Sequence, residues 1–232
     1  MTRPLILWFR QDLRLSDHPA LLAAVASGQP VLPLFILETG DETRPLGGAA
    51  RWWLHHSLSS LKRNLAAGGA QLVLKRGKAA SILDTVIAET NASGVIWSRC
   101  YEPEARQRDD ALTASLRARQ LRAESFNGSL LFEPEQIKTK TGTPYQVFTP
   151  YWKACLQAPP PAVATAAPSR INGYSGASSL TLEEFDLLPT SPDWTGGLRE
   201  NWQPGEAGAQ HRLAEFIRIS RAEIDRLKPL RP

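Results

Sequence analysis

The sequence predicts an α/β fold: a five-stranded, doubly wound parallel sheet of Rossmann-like type, followed by a linker and a C-terminal helix. Three observations predict it. Short continuous apolar runs recur along the first half of the chain, as in strands buried on both faces. Amphipathic segments with helical spacing lie between these runs. Past Phe126 the alternation stops and turn residues take over.

The elements follow in order. Leu5–Phe9 is an apolar strand between Pro4 and Arg10. Pro19 suits a first helical turn, with Ser16 and Asp17 as capping candidates and Leu21, Leu22 and Val25 along one face. Residues 31–37 (VLPLFIL) form the second strand. Leu54, Leu58, Leu61 and Leu65 recur at i, i+4, i+7 and i+11, marking a helix that Gly68-Gly69 ends. Residues 71–75 are the third strand, and Ile82, Leu83, Val86 and Ile87 mark the next helix. A strand at 95–98, a helix carrying Leu112 and Leu116, and the strand Arg122–Phe126 complete the series. Ligands of such sheets lie at the carboxyl ends of the strands, where strand order reverses.

Beyond Phe126, turn residues at Asn127-Gly128 and Gly142 precede an aromatic segment at 148–152. Residues 158–179 are rich in Ala, Pro, Ser and Gly without periodicity and read as a linker. A last helix starts near Gly205 and carries Leu213, Phe216, Ile217 and Ile224. The expected division is 1–130 for the α/β unit, 131–204 for a loop-rich connection and 205–232 for the terminal helix.

Bulk properties narrow the class. At 232 residues with 42% hydrophobic and 22% charged side chains, the chain can build a full core. A net charge of +4 permits a polyanionic partner without demanding one, because the arginines are spread out. Two cysteines, Cys100 and Cys155, form neither a metal-ligand spacing nor a disulfide framework, which favours a reducing, cytoplasmic setting. The N-terminal apolar run is too short for a signal peptide, and no stretch is long enough to span a bilayer, so no membrane contact is expected.

Four blocks carry chemistry. WFRQDLRLSDHPAL (8–21) is a strand running out into Arg10, Asp12 and Arg14, where a ligand of the sheet should lie; the alternative is a strand end capped by an internal ion pair. GGAARWWLHHSL (47–58) places Trp52 and Trp53 side by side on a helix, so one packs inward and one lies nearer the edge, unless both are core. VIWSRCYEPEARQRD (95–109) puts Glu102 and Glu104 near a helix N-terminus; Glu104 reads as a capping carboxylate and Glu102 as pointing to the cleft. SFNGSLLFEPEQIKTKTGTPYQVFTPYWKAC (125–155) carries Phe148, Tyr151 and Trp152, aromatics suited to an interdomain face.

These blocks, with LLPTSPDW (187–194) and WQPGEAGA (202–209), resemble the front part of the DNA photolyase/cryptochrome family over nearly the whole chain. The second block is similar to folate-using photolyases near the plant cryptochromes. The resemblance implies the N-terminal antenna domain of a cyclobutane pyrimidine dimer photolyase, a carbon–carbon lyase in its full-length form. It implies an antenna pigment, a reduced folate (methenyltetrahydrofolate) or a deazaflavin. FAD and damaged DNA would belong to a flavin-binding helical domain. It also implies Arg10, Asp12, Phe35, Ile36, Glu38, Arg51, Trp52 and Glu102 as antenna-site residues, with the Glu38 carboxylate on the amino-pyrimidine edge of a pterin.

After about Ile217 the sequence stops following the family. The expectation is a chain truncated before the FAD domain, with no catalytic residues of its own and a docking face left uncovered. The alternatives are a fragment of a cryptochrome-type blue-light receptor, or a stand-alone nucleotide-binding-like module.

Other chemistry is disfavoured. Adjacent His55 and His56 lack the i, i+4 spacing of a zinc pair, and His18 reads as a surface residue. Ser57 lacks a Gly-rich elbow, and no G-x-G-x-x-G follows the first strand. Lys138 and Lys140 read as a solvated loop, and Cys100 as a small, partly buried side chain.

Overall fold

The computed structural model describes residues 2–39 and 45–227. Five strands, β1 (Leu5–Phe9), β2 (Val31–Glu38), β3 (Val73–Gly77), β4 (Gly94–Ser98) and β5 (Arg122–Phe126), form one sheet of order β3-β2-β1-β4-β5. Every pairing is parallel. Helices α1 (Pro19–Ala26), α2 (Gly48–Ala67), α3 (Ala79–Thr90) and α4 (Pro103–Ala118) connect them. The chain builds outward to β3 and then returns to the other side of β1, so strand order reverses beside β1.

The apolar runs are buried on both faces, as continuous runs predict. Leu5, Leu7 and Phe9 of β1 pack with α1 and α2, through Leu21, Leu58, Leu61 and Leu65. Ile6 and Trp8 point the other way, with α3 and α4 through Leu83, Val86 and Leu116. Two tilted indoles, Trp8 and Trp97, lie 6.3 Å apart on that second face.

Two expectations change at the start of α1. His18 is buried, not a surface residue, at 1% exposure. It is also the N-cap: His18 Nδ1 accepts from the Leu21 N–H at 3.1 Å, a role expected of Ser16 or Asp17. The reason is Asp12, whose carboxylate Oδ2 lies 2.9 Å from His18 Nε2. A buried carboxylate needs a donor, and the imidazole supplies one while its other nitrogen caps the helix.

The stretch read as a linker is irregular yet packed. Ile171 N–H donates to Gly68 O, Val31 N–H to Asn172 O, and Tyr174 N–H to Val31 O, at 2.7–2.8 Å. Further on, Leu180 N–H donates to Leu74 O at 2.9 Å, along the open edge of β3. Ile171, Leu182, Phe185 and Leu187 enter the core on the α1/α2 side. This segment straps the sheet.

Three more helices follow: α5 (Phe148–Gln157), α6 (Gly196–Asn201) and α7 (Glu206–Leu227). On α5 the Phe148 and Trp152 rings stack, 6.4 Å apart and 8° from parallel, and both are exposed. Leu213, Phe216 and Ile217 of α7 are exposed too, while the side chain of Ile224 lies outside the described residues. Among the described residues no helix is long and apolar enough to cross a membrane.

Candidate functional site

A cleft of about 1410 Å³ opens over the carboxyl ends of β1, β2 and β3, reaching Cys100 after β4. Its floor is Trp8 and Phe35–Glu38; its walls come from α2, the strap near Phe185, and the start of α7. The cleft adjoins the point beside β1 where strand order reverses and extends from there over β2 and β3.

The β1 end of the rim is an ion-pair network. Arg10 Nη1 and Nη2 donate to Asp109 Oδ1 and Oδ2 at 2.8 and 3.0 Å, and Nη2 also donates to Ser98 O. The Trp97 indole N–H donates to Asp109 Oδ2 at 3.0 Å, and the Arg10 guanidinium lies 4.7 Å over the Trp8 ring. Asp109 is 7% exposed, so this is a buried, bidentate pair. Asp12 Oδ1 accepts from the Arg10 N–H at 2.9 Å. Burial alone would raise the Asp12 carboxyl, but the hydrogen bond and charge of His18, with the bonds from Ser98 and the Arg10 N–H, together outweigh it and hold the group well below the usual carboxylate range.

The β2 end is different. Glu38 Oε2 accepts from Arg108 Nη1 at 2.7 Å, while Glu38 Oε1 is buried with no hydrogen-bond partner. Arg108 Nε and Arg10 Nε are buried and unpartnered as well. Buried polar atoms in folded proteins almost always have partners. These unpartnered atoms, with Trp8 Nε1, belong to cleft-lining residues and leave acceptor and donor capacity there for a ligand. Trp53, 41% exposed, and Phe185 add flat apolar surface to the lining.

Six of the expected site residues meet in the cleft lining: Arg10, Asp12, Phe35, Ile36, Glu38 and Arg51. Arg51 donates to Asp186 O across the mouth. Trp52 is not among them. At 2% exposure its ring packs inward, 4.6 Å from His56, and its neighbour Trp53 lines the cleft instead. Glu102 also lies outside the lining: it is exposed at the start of α4, and its Oε2 accepts from the Tyr101 N–H at 3.1 Å. Of that loop only Cys100 reaches the cleft lining. Arg99 and Tyr101 both bind Glu133 Oε1, at 2.7 and 2.9 Å. Burial, with that hydrogen bond, pushes the Tyr101 hydroxyl up to about 12.

Sequence reasoning missed Arg76, Arg108, Phe185 and Glu206, all of which line the cleft. Arg108 stood in the third block, immediately before Asp109, and a basic–acidic pair on the second turn of a helix was the available signal. Phe185 gave none, because it reaches the cleft through tertiary packing of the strap.

A residue set that spares a carboxylate oxygen, two guanidinium nitrogens and an indole face suits a flat heteroaromatic ring with N–H donors and ring acceptors. The pigments implied by the sequence resemblance have that chemistry.

Comparison with known proteins agrees with this architecture. The DNA photolyase family model matches residues 5–169. A deoxyribodipyrimidine photo-lyase of Agrobacterium fabrum (strain C58) is 45% identical over 217 residues, which is 93% of this chain and 45% of that protein. Cryptochrome-2 of Arabidopsis thaliana is 34% identical over 224 residues, 94% of this chain and 36% of that one. The crystal structure of a bacterial class III photolyase from Agrobacterium tumefaciens superposes with a TM-score of 0.86 at 45% identity, covering 94% of this chain and 45% of its own. The chain thus spans less than half the length of these relatives. By sequence, by fold and by the match over most of its residues, the chain belongs to the DNA photolyase family.

Proposed function

We propose that this chain is the antenna-chromophore domain of a deoxyribodipyrimidine photo-lyase, holding a planar pigment in the cleft at the strand ends. One observation carries the reading: Glu38 keeps a buried carboxylate oxygen without a partner, in a lining that also contains the exposed Trp53. A reduced folate such as methenyltetrahydrofolate presents an edge of N–H donors that a carboxylate accepts with directional, charge-assisted bonds. A deazaflavin offers a similar flat ring with a polar edge.

In this reading Glu38 fixes the ring in its plane, and Arg108 orients Glu38. Trp53 covers one ring face, and Phe35 and Ile36 exclude water from beneath. Arg10 and Asp12 shape the rim, and Arg51 stands at the mouth. The bound pigment would supply absorption of near-UV or blue light. Reaction with a pyrimidine dimer would require a flavin-binding helical domain, through which damaged DNA is engaged.

Purified protein titrated with methenyltetrahydrofolate tests this. Binding to the parent with clear loss in Glu38→Ala supports the reading; equal affinity in the variant refutes the assignment of Glu38. A second reading, a blue-light receptor of cryptochrome type, draws on the 34% identity to Cryptochrome-2 of Arabidopsis thaliana. The full-length gene product assayed for light-dependent dimer repair separates the two: repair supports the photo-lyase, and its absence with an intact photoresponse supports the receptor.

A further inference from the structure

We propose that Glu206 is the latch that seats α7 as a wall of the cleft, and that it thereby sets how fast a bound ligand escapes. The ligand part rests on the chromophore reading above; the latch does not.

The segment WQPGEAGA (202–209) supplies the observations. Glu206 Oε2 accepts from the Leu15 N–H at 2.9 Å, and Oε1 accepts from the Ser16 N–H at 2.8 Å. Those two amides belong to the loop that leaves β1 and carries Arg10, Asp12 and Arg14 along the cleft. Gln210, one turn further on, donates to Ser16 Oγ and to Glu206 Oε1, each at 3.4 Å. Burial alone would raise the Glu206 carboxyl, and the bonds from Ser16 and Leu15 pull it below its ordinary value.

The turn into α7 is also pressed against its surroundings. Gly205 has φ +100°, and a Cβ there would stand 2.6 Å from Ser60 Oγ on α2. A Cβ on Gly208 would stand 1.8 Å from Gln203 O. Both positions therefore require glycine, and the backbone comes closer than any side chain would allow. Trp202 meets Trp53 edge to face at 5.7 Å, and the Arg212 guanidinium lies over Trp202 at the same distance. With the turn so fixed, Glu206, Ala209, Gln210 and Leu213 line the cleft on successive turns of α7.

A carboxylate that bridges two backbone amides cannot be replaced by a methyl group without leaving both amides to water. Without that bridge, α7 is held by Gln210 and by the aromatic contacts of Trp202. The wall then opens more often, and a ligand leaves through it. Glu206 acts on the ligand through the placement of the helix, so it is a positioning residue.

The test compares the parent chain with Glu206→Ala and Glu206→Gln. Three quantities are read: amide hydrogen exchange at Leu15, Ser16 and 209–213; the rate at which bound methenyltetrahydrofolate is released on dilution; and the thermal midpoint. In Glu206→Ala, exchange at those amides rises about tenfold to a hundredfold, as loss of charge-assisted hydrogen bonds implies. Release quickens by about tenfold, with association unchanged. Glu206→Gln keeps an acceptor and falls between the two. Parental exchange in Glu206→Ala overturns the latch, and so does faster exchange with an unchanged release rate. A thermal midpoint lowered equally in both variants, with equal release rates, assigns Glu206 a purely structural role and also overturns it. If the parent takes up no methenyltetrahydrofolate, the chromophore reading is what fails, and the exchange rates at Leu15, Ser16 and 209–213 decide the latch.

Discussion

The two ends of the cleft rim carry similar charges and use them differently. At the end of β1, the Arg10 terminal nitrogens and the Asp12 carboxylate are committed to protein partners: Asp109, Ser98, His18 and a backbone amide. At the end of β2, Glu38 pairs with Arg108 through one oxygen and keeps the other uncommitted. The first set is largely spent on building the rim, with Arg10 Nε left over, and the second leaves an acceptor oxygen to spare. Charge at the end of a strand therefore does not by itself mark recognition; what marks it is a polar atom that the protein leaves unsatisfied in a cleft.

Substitutions on each side should separate these roles, and the largest effect belongs to Asp109. Replacing it with Ala leaves the buried Arg10 guanidinium without its anion, a loss of about 3–5 kcal/mol in urea unfolding. Asp12→Asn comes next, at about 1–3 kcal/mol at neutral pH. Its signature is the acid limb of stability. The Asp12 carboxyl is held low in the fold, so its contribution is complete above the ordinary carboxylate range. That contribution drains away as pH falls below that range toward the depressed folded value. Asp12→Asn should flatten this limb in unfolding curves measured from neutral to strongly acid pH; an unchanged limb would detach His18 and Asp12 from stability.

On the β2 side the order reverses, with small effects on stability and larger ones on ligand. Glu38→Gln should change unfolding free energy by less than about 1 kcal/mol, because the Arg108 pair is partly exposed. Its affinity for a pterin should fall by about tenfold. Trp53→Ala should cost a few-fold in affinity, on the order of 1 kcal/mol for one lost aromatic contact, with Trp52→Ala instead acting on stability. A Glu38 variant that unfolds easily, or an Asp109 variant that merely binds less, would erase the contrast between the two ends.

Much of the fold was legible because its determinants are local. The runs that became β1 and β2 begin where the apolar pattern begins, and β5 spans Arg122–Phe126 as expected. β3 moves two residues along, to Val73–Gly77, because its register is set by pairing with β2 from Leu34 to Glu38. The site was legible in part. Successive helical residues differ by only about 100° in direction, so spacing could not say which of Trp52 and Trp53 would face the cleft. His18 was misread because its partner, Asp12, is local in sequence but the burial of the pair is tertiary. Glu102 satisfies its own loop, which no spacing reveals. The strap at 165–187 escaped because its apolar anchors, Ile171, Leu182, Phe185 and Leu187, follow no period.

The central claim is that the cleft holds a planar pigment through the free oxygen of Glu38. Its most direct test is an absorption titration of the purified chain with methenyltetrahydrofolate, and in parallel with a deazaflavin, beside Glu38→Gln of matched thermal midpoint. The account predicts a saturable near-UV or blue band in the parent with one of the two pigments, and about tenfold weaker binding in the variant. Equal affinity in the two proteins, or no band with either pigment, would contradict it.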